Sequence, residues 1–387
     1  MRILYLDWPC FGQAGLKLLF LRREYEVCAF FHKDYKKWES EEFLAEGEKC
    51  FENKNYDIAF SYNYFPLMAE LCYRHNLVYI SFMYDNPQRL LYSPAVKYST
   101  NRIFSFDSAM VDELKKIGIE HIYYMPLPVD CSNRDVMLQK PYNRERYKSE
   151  VSFIGSMYDE PMHLAKVLEG LPSKTIGYVE GVLQAQSSIW GCNFLEDCLT
   201  PEIVEEMNKL SGLEPLGMES VEYIYANYYM ARKLTSYERH RVLTKLSRIS
   251  QVKVWTYNKE EVIGNCINCG KADYYKDMPY VIANSKINMN ISLRSIKNGI
   301  PLRCMDVLGM GGFLLTNFQS DFFKHFVPGE EFVFYADEED MLDKVEYYLS
   351  HERERKMIAE AGFEKVKKNH NFDVIWDALL DVALQRQ

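Results

Sequence analysis

The sequence predicts an α/β protein built from two doubly wound domains, each a parallel sheet with helices on both faces. Three observations point there. Short apolar runs alternate with helical periodicity from Met1 to Asp130, a second such series opens at Val151, and a charged, Pro-containing stretch separates the two. A chain of 387 residues is long enough for two domains of ordinary size.

Met1-Arg-Ile-Leu-Tyr-Leu6 has the length and apolar density of a buried strand, and Asp7 ends it. Trp8-Pro-Cys-Phe-Gly12 then leads to a helix from Ala14 to Arg23. Tyr25–Phe31, Asp57–Ser61, Val78–Ser81, Asn101–Phe106 and Ile122–Met125 continue the strand series, with helices at Glu39–Glu52, at Pro66–His75 and up to Lys116. Ligands of such sheets gather at the carboxyl ends of strands, which directs attention to Asp7, to Asp85 in the turn Tyr84-Asp-Asn-Pro87, and to Asp107. Gly12 and Gly15 lack the G-x-G-x-x-G spacing of a dinucleotide fingerprint, which weighs against a nicotinamide-dependent dehydrogenase.

Residues 132–150, charged and containing Pro141, read as a linker after a first domain of residues 1–131. Val151–Ile154 opens the second domain, 151–370, and ends in Gly155-Ser156, which any tight turn would also use. From Gln184 to Ser250 the apolar spacing of three and four is helical, an elaboration inside that domain, before Val252–Thr256 resumes the sheet. Glu331–Tyr335 is a strand, Glu338–Ser350 and the charged run to Lys368 are helices, and the amphipathic end of the chain, 371–387, is another.

The most informative stretch is Ser285–Asn317, SKINMNISLRSIKNGIPLRCMDVLGMGGFLLTN. Ile287, Met289 and Ile291 alternate with polar residues, as in a strand with its apolar side on a core. Leu302, Met305 and Leu308 share a helical face after Pro301, and Gly311-Gly312 stop the helix before the strand Phe313–Thr316. A loop entering a helix offers unpaired backbone N–H groups and a partial positive charge, which suits a phosphate; Arg294, Lys297 and Arg303 add full charges there. Asp306 shares a helix face with Arg303, so its carboxylate can accept from vicinal sugar hydroxyls or pair with that arginine. Gly299 permits close backbone approach. The same pattern also fits an ordinary crossover with a solvated basic loop.

This stretch resembles the donor-binding motif of GT-B glycosyltransferases, close to the retaining family four pattern of two glutamates. It is more similar still to the CgeB-like (spore maturation protein-like) group, in which a glycosyltransferase group 1 domain follows an N-terminal domain. The segments DIAFSYNYFP, YDNP and PLPVD are similar to that N-terminal domain. The resemblance implies a GT-B fold whose two Rossmann-like domains face a cleft, with the acceptor on the side of residues 1–131 and the nucleotide-sugar donor on the second domain. It also implies a terminal helix, 371–387, returning to the first domain. By the same resemblance the backbone of Gly155 and Ser156 approaches the donor phosphates, Asp306 stands at the ribose-binding second glutamate, and Asn298 stands, uncharged, at the first.

Transfer from a nucleotide sugar builds negative charge on the departing diphosphate. Arg294, Lys297, Arg303 and the helix N-terminus are expected to stabilise it without a metal or other cofactor. An inverting enzyme needs a general base as well, and Asp85 is the leading candidate, with Asp7, Asp107 and His32 behind it and helix or turn capping as the competing use of the aspartates. A retaining enzyme needs none, and the stereochemical outcome stays open.

A net charge of −9 argues against a general nucleic-acid or anionic-membrane binder, and the 29 tyrosines suit either a carbohydrate surface or core packing. The ten cysteines are read as thiols; Cys266-Ile-Asn-Cys269 supplies half a zinc site at most. The N-terminus lacks a signal-peptide layout and no apolar run approaches eighteen residues, so the expected location is the cytoplasm, with a peripheral hold on the membrane allowed. The expected function is sugar transfer, with UDP as the leading nucleotide, to a glycan, lipid-linked or protein acceptor of the bacterial cell surface. The alternative is a non-catalytic nucleotide-sugar or glycan binder on the same scaffold.

Overall fold

The computed structural model describes residues 1–52, 54–132, 134–158 and 164–385. These form two compact units. The first comprises Met1–Val129, Pro215–Glu219 and Asn369–Gln387; the second comprises Asp130–Glu214 and Ser220–Lys368.

In the first unit six parallel strands, β1 (Arg2–Leu6), β2 (Glu26–Phe30), β3 (Ile58–Tyr62), β4 (Tyr79–Phe82), β5 (Asn101–Ser105) and β6 (Ile122–Tyr124), lie in the order β2-β1-β3-β4-β5-β6. The central strands β3 and β4 are buried along their whole length, as a parallel sheet covered on both faces requires. The helix Phe372–Ala383 packs in this unit: Trp376 meets Phe20 and Phe60 edge-on at 5.0 and 5.2 Å, and Arg22 and Arg23 pair with Asp373 and Asp377. Trp376 is 3% exposed, so Trp376→Ala should cost about 3–5 kcal/mol of this unit's stability in urea unfolding.

In the second unit β7 (Ser149–Ile154), β8 (Val252–Trp255), β9 (Ile267–Asn268), β10 (Ser285–Asn290), β11 (Leu314–Asn317) and β12 (Val333–Tyr335) are parallel in the order β12-β11-β10-β7-β8-β9. The polar side of β10 is buried along with the apolar side. Asn288 accepts a hydrogen bond from Ser152, and Asn290 donates to Ser292 and Thr316, so the covered amides are satisfied rather than solvated. Between β7 and β8 the chain builds a helical addition around its own core, with Val179, Leu183, Met207, Tyr225 and Met230 inside. It continues through a π-helical turn at 225–230 into the helix Ala231–Leu246, whose Val242, Leu243 and Leu246 join the core of the sheet.

Residues 132–150, expected as a linker, belong to the second unit instead. They form the short helices Arg134–Gln139 and Arg144–Tyr147 and the first residues of β7, and Tyr147 is buried against Trp255 because the aromatic face of this segment has a core to meet.

Candidate functional site

A doubly wound sheet binds ligands where the strand order reverses, outside the carboxyl ends of the two strands flanking that point. In the second unit the connections run one way from β7 to β8 and β9, and the other way from β10 to β11 and β12, so the crevice lies beyond β7 and β10. Three pieces of chain meet there: Gly155-Ser156 after β7, Ile291-Ser292 after β10, and Arg239 at the middle of the helix Ala231–Leu246.

Ser156 accepts from the backbone N–H of Tyr158 through its hydroxyl, at 2.9 Å, and its carbonyl accepts from Arg239. A Cβ on Gly155 would lie 3.0 Å from the Phe153 ring and 3.4 Å from Arg239 Nη1, which leaves little room for a side chain at this turn. The loop after β10 is pinned from three sides. Asn193 donates to the carbonyl of Arg294 at 2.7 Å, Gln319 to that of Ile296 at 3.2 Å, and the N–H of Asp321 to that of Asn298 at 3.0 Å. Lys297 is half-buried and lines a water-sized cavity of about 20 Å³ with Asn193, Ser292 and Gln319. Gly299 is buried and Asn298 half-buried.

Arg294 is used differently from what its sequence position suggests. It is 7% exposed, its Nε donates to both carboxylate oxygens of Glu238 at 2.9 Å, and Nη1 and Nη2 donate to the carbonyls of Ile189 and Gln186. The guanidinium also stacks 3.6 Å from the centre of the Trp190 ring. These bonds commit most of the guanidinium's donors to the protein, a structural use that competes with the expected contact to a diphosphate. Glu238 is fully buried; burial raises its pKa, opposed by Arg294.

Arg303 and Asp306 meet on the helix Leu302–Gly309, whose N-cap Pro301 accepts from the amides of Cys304 and Met305 and offers no side-chain cap to those of Leu302 and Arg303. Arg303 Nη1 donates to Asp306 Oδ2 at 3.2 Å, Tyr274 Oη donates to Oδ1 at 2.7 Å, and Arg303 Nε is buried without a partner among the described residues. Asp306 is 6% exposed, and burial lifts its pKa from 3.8 to about 6 against the pull of Arg303 and Tyr274. Because the folded value lies above the unfolded one, this carboxyl contributes stability that is whole below about 3.8 and lost as the pH rises through about 6. Asp306→Asn should remove that slope, at most about 3 kcal/mol, from a series of unfolding curves between pH 4 and 7.

In the first unit Asp85 follows β4. Asn63, in the left-handed region at φ 58°, donates to Asp85 Oδ2 at 2.6 Å and accepts from the N–H groups of Tyr84 and Asp85. Asp85 is exposed as a residue, yet its carboxyl is surrounded closely enough for desolvation to raise its pKa, against Asn63 and Lys36. The rival candidates are engaged. Asp7 pairs with Lys17 at 2.9 Å, Asp107 caps the helix Ser108–Lys116 and accepts from Asn86, and the buried His32 accepts from the N–H of Asp34.

Cys266 and Cys269 donate to the carbonyls of Leu243 and Ile267, and burial raises both thiols. Among the described residues His32, Asp34 and Glu42 form the one group spaced for a metal ion, and both carboxylates pair with lysines, Lys37 and Lys33.

Sequence reasoning missed Asn63, Tyr274, Glu238 and Arg239. A signal existed for Arg239: it shares the face of Val242, Leu243 and Leu246, so a charge sits in the apolar stripe of its helix.

Residues 231–381 match a family described as glycosyl transferase-like. No curated protein matches the chain in sequence. Among solved structures the chain is similar to Anabaena HepE in complex with UDP and glucose, at 10% identity and a TM-score of 0.52 with all of both chains covered. It is also similar to a glycosyltransferase from Rickettsia africae, at 11% identity and 0.52 with 100% of this chain and 99% of that one covered. A third is WaaG, a glycosyltransferase involved in lipopolysaccharide biosynthesis, at 10% and 0.51 with 99% of each covered. With its two six-stranded doubly wound parallel sheets and the helical addition to the second, the chain has the GT-B fold.

Proposed function

We propose that the protein is a glycosyltransferase of the CgeB-like group that moves a sugar from a nucleotide-sugar donor to an acceptor. The observation that supports this most is the crevice beyond β7 and β10, where the small turn Gly155-Ser156, a buried guanidinium and the loop leading to the helix Leu302–Gly309 gather at the switch point. A diphosphate is the anion such a combination suits, and the cations available to it belong to the chain itself. UDP is the nucleotide to try first, since HepE, of the same fold, was crystallised with UDP and glucose.

In this reading Gly155, Ser156 and the first-turn amides of Leu302 and Arg303 face the diphosphate, with Lys297 and Asn298 on the loop beside it. Asp306 receives the ribose by exchanging its bond with Tyr274 or Arg303. Asp85, oriented by Asn63, serves as the base if the enzyme inverts. The reaction runs in the cytoplasm on a glycan, lipid-linked or protein acceptor, with contact to the membrane through that acceptor; among the described residues no helix is long and apolar enough to cross it.

Incubation with UDP-, GDP- and ADP-sugars should show slow donor hydrolysis with one of them, and calorimetry should show binding of the matching diphosphate. The commitment of Asp306 to Tyr274 and Arg303 favours one second reading, a nucleotide-sugar binder without turnover. Binding with no hydrolysis or transfer for any acceptor would support that reading, and no binding at all would sink both.

A further inference from the structure

Neighbouring residues on one helix treat their charges in opposite ways. Glu238 neutralises Arg294 inside the unit, whereas Arg239, also 7% exposed, has no carboxylate within ion-pair distance among the described residues. Among the described residues its guanidinium donates to two backbone carbonyls, Nε to Ile291 O at 3.1 Å, Nη2 to the same oxygen and Nη1 to Ser156 O, and the Tyr158 side chain beside it favours its charged form. The planar group lies between Phe153 and Tyr158, 5.1 and 4.8 Å from their ring centres. Burial lowers its pKa, with only smaller opposing contributions.

Burying a cation that no carboxylate among the described residues pairs with is costly, and an anionic ligand beside it would offset that cost. The two carbonyls it holds end the two strands flanking the switch point, and the guanidinium lies directly behind Gly155, whose missing side chain leaves it close to whatever sits on that turn. Resting on the donor-site reading above, we propose that Arg239 is the positioning residue of that site: it ties the turn after β7 to the loop after β10, and its charge, paired with no carboxylate among the described residues, is matched by the diphosphate of the donor. The site is then completed electrically by its own substrate, which gives a diphosphate an advantage over an uncharged nucleoside beyond direct hydrogen bonds.

The test compares the full chain with Arg239→Met, Arg239→Gln and Arg239→Lys, titrating UDP, GDP and ADP by calorimetry and the parent nucleosides by ligand-observed NMR. Arg239→Met should weaken the preferred diphosphate on the order of tenfold or more, from the loss of a charge in a low-dielectric setting, while the nucleoside is held within about twofold. Arg239→Lys should recover most of the difference. If Arg239→Met fails to fold, Arg239→Gln, which keeps polar contacts but no charge, should fall where Arg239→Lys holds. Equal affinity of the neutral variants and wild type for the diphosphate, or equal losses for diphosphate and nucleoside, would overturn the inference alone. Wild-type protein that binds none of the three diphosphates would overturn the glycosyltransferase reading and this inference with it.

Discussion

Arg294→Ala should unfold the second unit at markedly lower urea concentration, with a loss of about 3–5 kcal/mol, and its nucleotide affinity should fall only as far as the folded fraction falls. The reason is the residue it leaves behind. Glu238 has no exposed surface, and Arg294 supplies its hydrogen bonds through Nε and Nη2. Without the guanidinium, the carboxylate must either remain buried and unpaired or take up a proton, and both are costly. The carbonyls of Ile189 and Gln186 and the face of Trp190 lose their partner at the same time. Replacing both members by apolar residues, Arg294→Met with Glu238→Leu, should restore much of the loss, because an ion pair buried this deeply spends most of its attraction on desolvation. Arg294→Ala unfolding within about 1 kcal/mol of wild type, with diphosphate binding abolished, would return Arg294 to the donor site.

Asp85→Asn should slow transfer about 10²- to 10⁴-fold while leaving the affinity for the nucleoside diphosphate within about twofold. Among the described residues the carboxyl is held by one side-chain bond, from Asn63 to Oδ2, which leaves Oδ1 for an acceptor hydroxyl. Desolvation raises its pKa, so the acidic limb of the rate profile should lie above the ordinary 3.8, with activity gained as the pH rises through it and the carboxyl ionises. Asn63→Ala should lower the rate less and shift that limb further upward, since it removes the bond that favours the charged form. Steady-state kinetics over pH 4 to 8 measures both. A turnover unchanged in Asp85→Asn would place the chemistry elsewhere and favour a retaining mechanism, which needs no such base.

The strands and helices were legible because their signals are local. Apolar runs bounded by turn residues mark β1, β3, β4 and β7, and the spacing of Leu302, Met305 and Leu308 marks the helix that follows β10. The doubly wound class follows from that alternation, and the strand-loop-helix at Ser285–Asn317 points to the carboxyl end of β10. What a charged side chain does is not a local property. Arg294 and Lys297 are three residues apart in one basic loop and border the same small cavity, yet the first is buried against a carboxylate 56 positions away in sequence and the second is half-buried. Arg239 reads as one more charge in a helical run until the packing sets it between the ends of β7 and β10.

The order of residues by itself determined two parallel sheets, the helical insertion after β7 and the helix Leu302–Gly309 after β10, since backbone propensity and apolar period act over a few neighbours. Tertiary structure alone decided which cations are neutralised, which carboxyls are desolvated and which residue stands behind the switch point. Those outcomes depend on the dielectric and the partners found at a place in space, and residues far apart in the chain supply both.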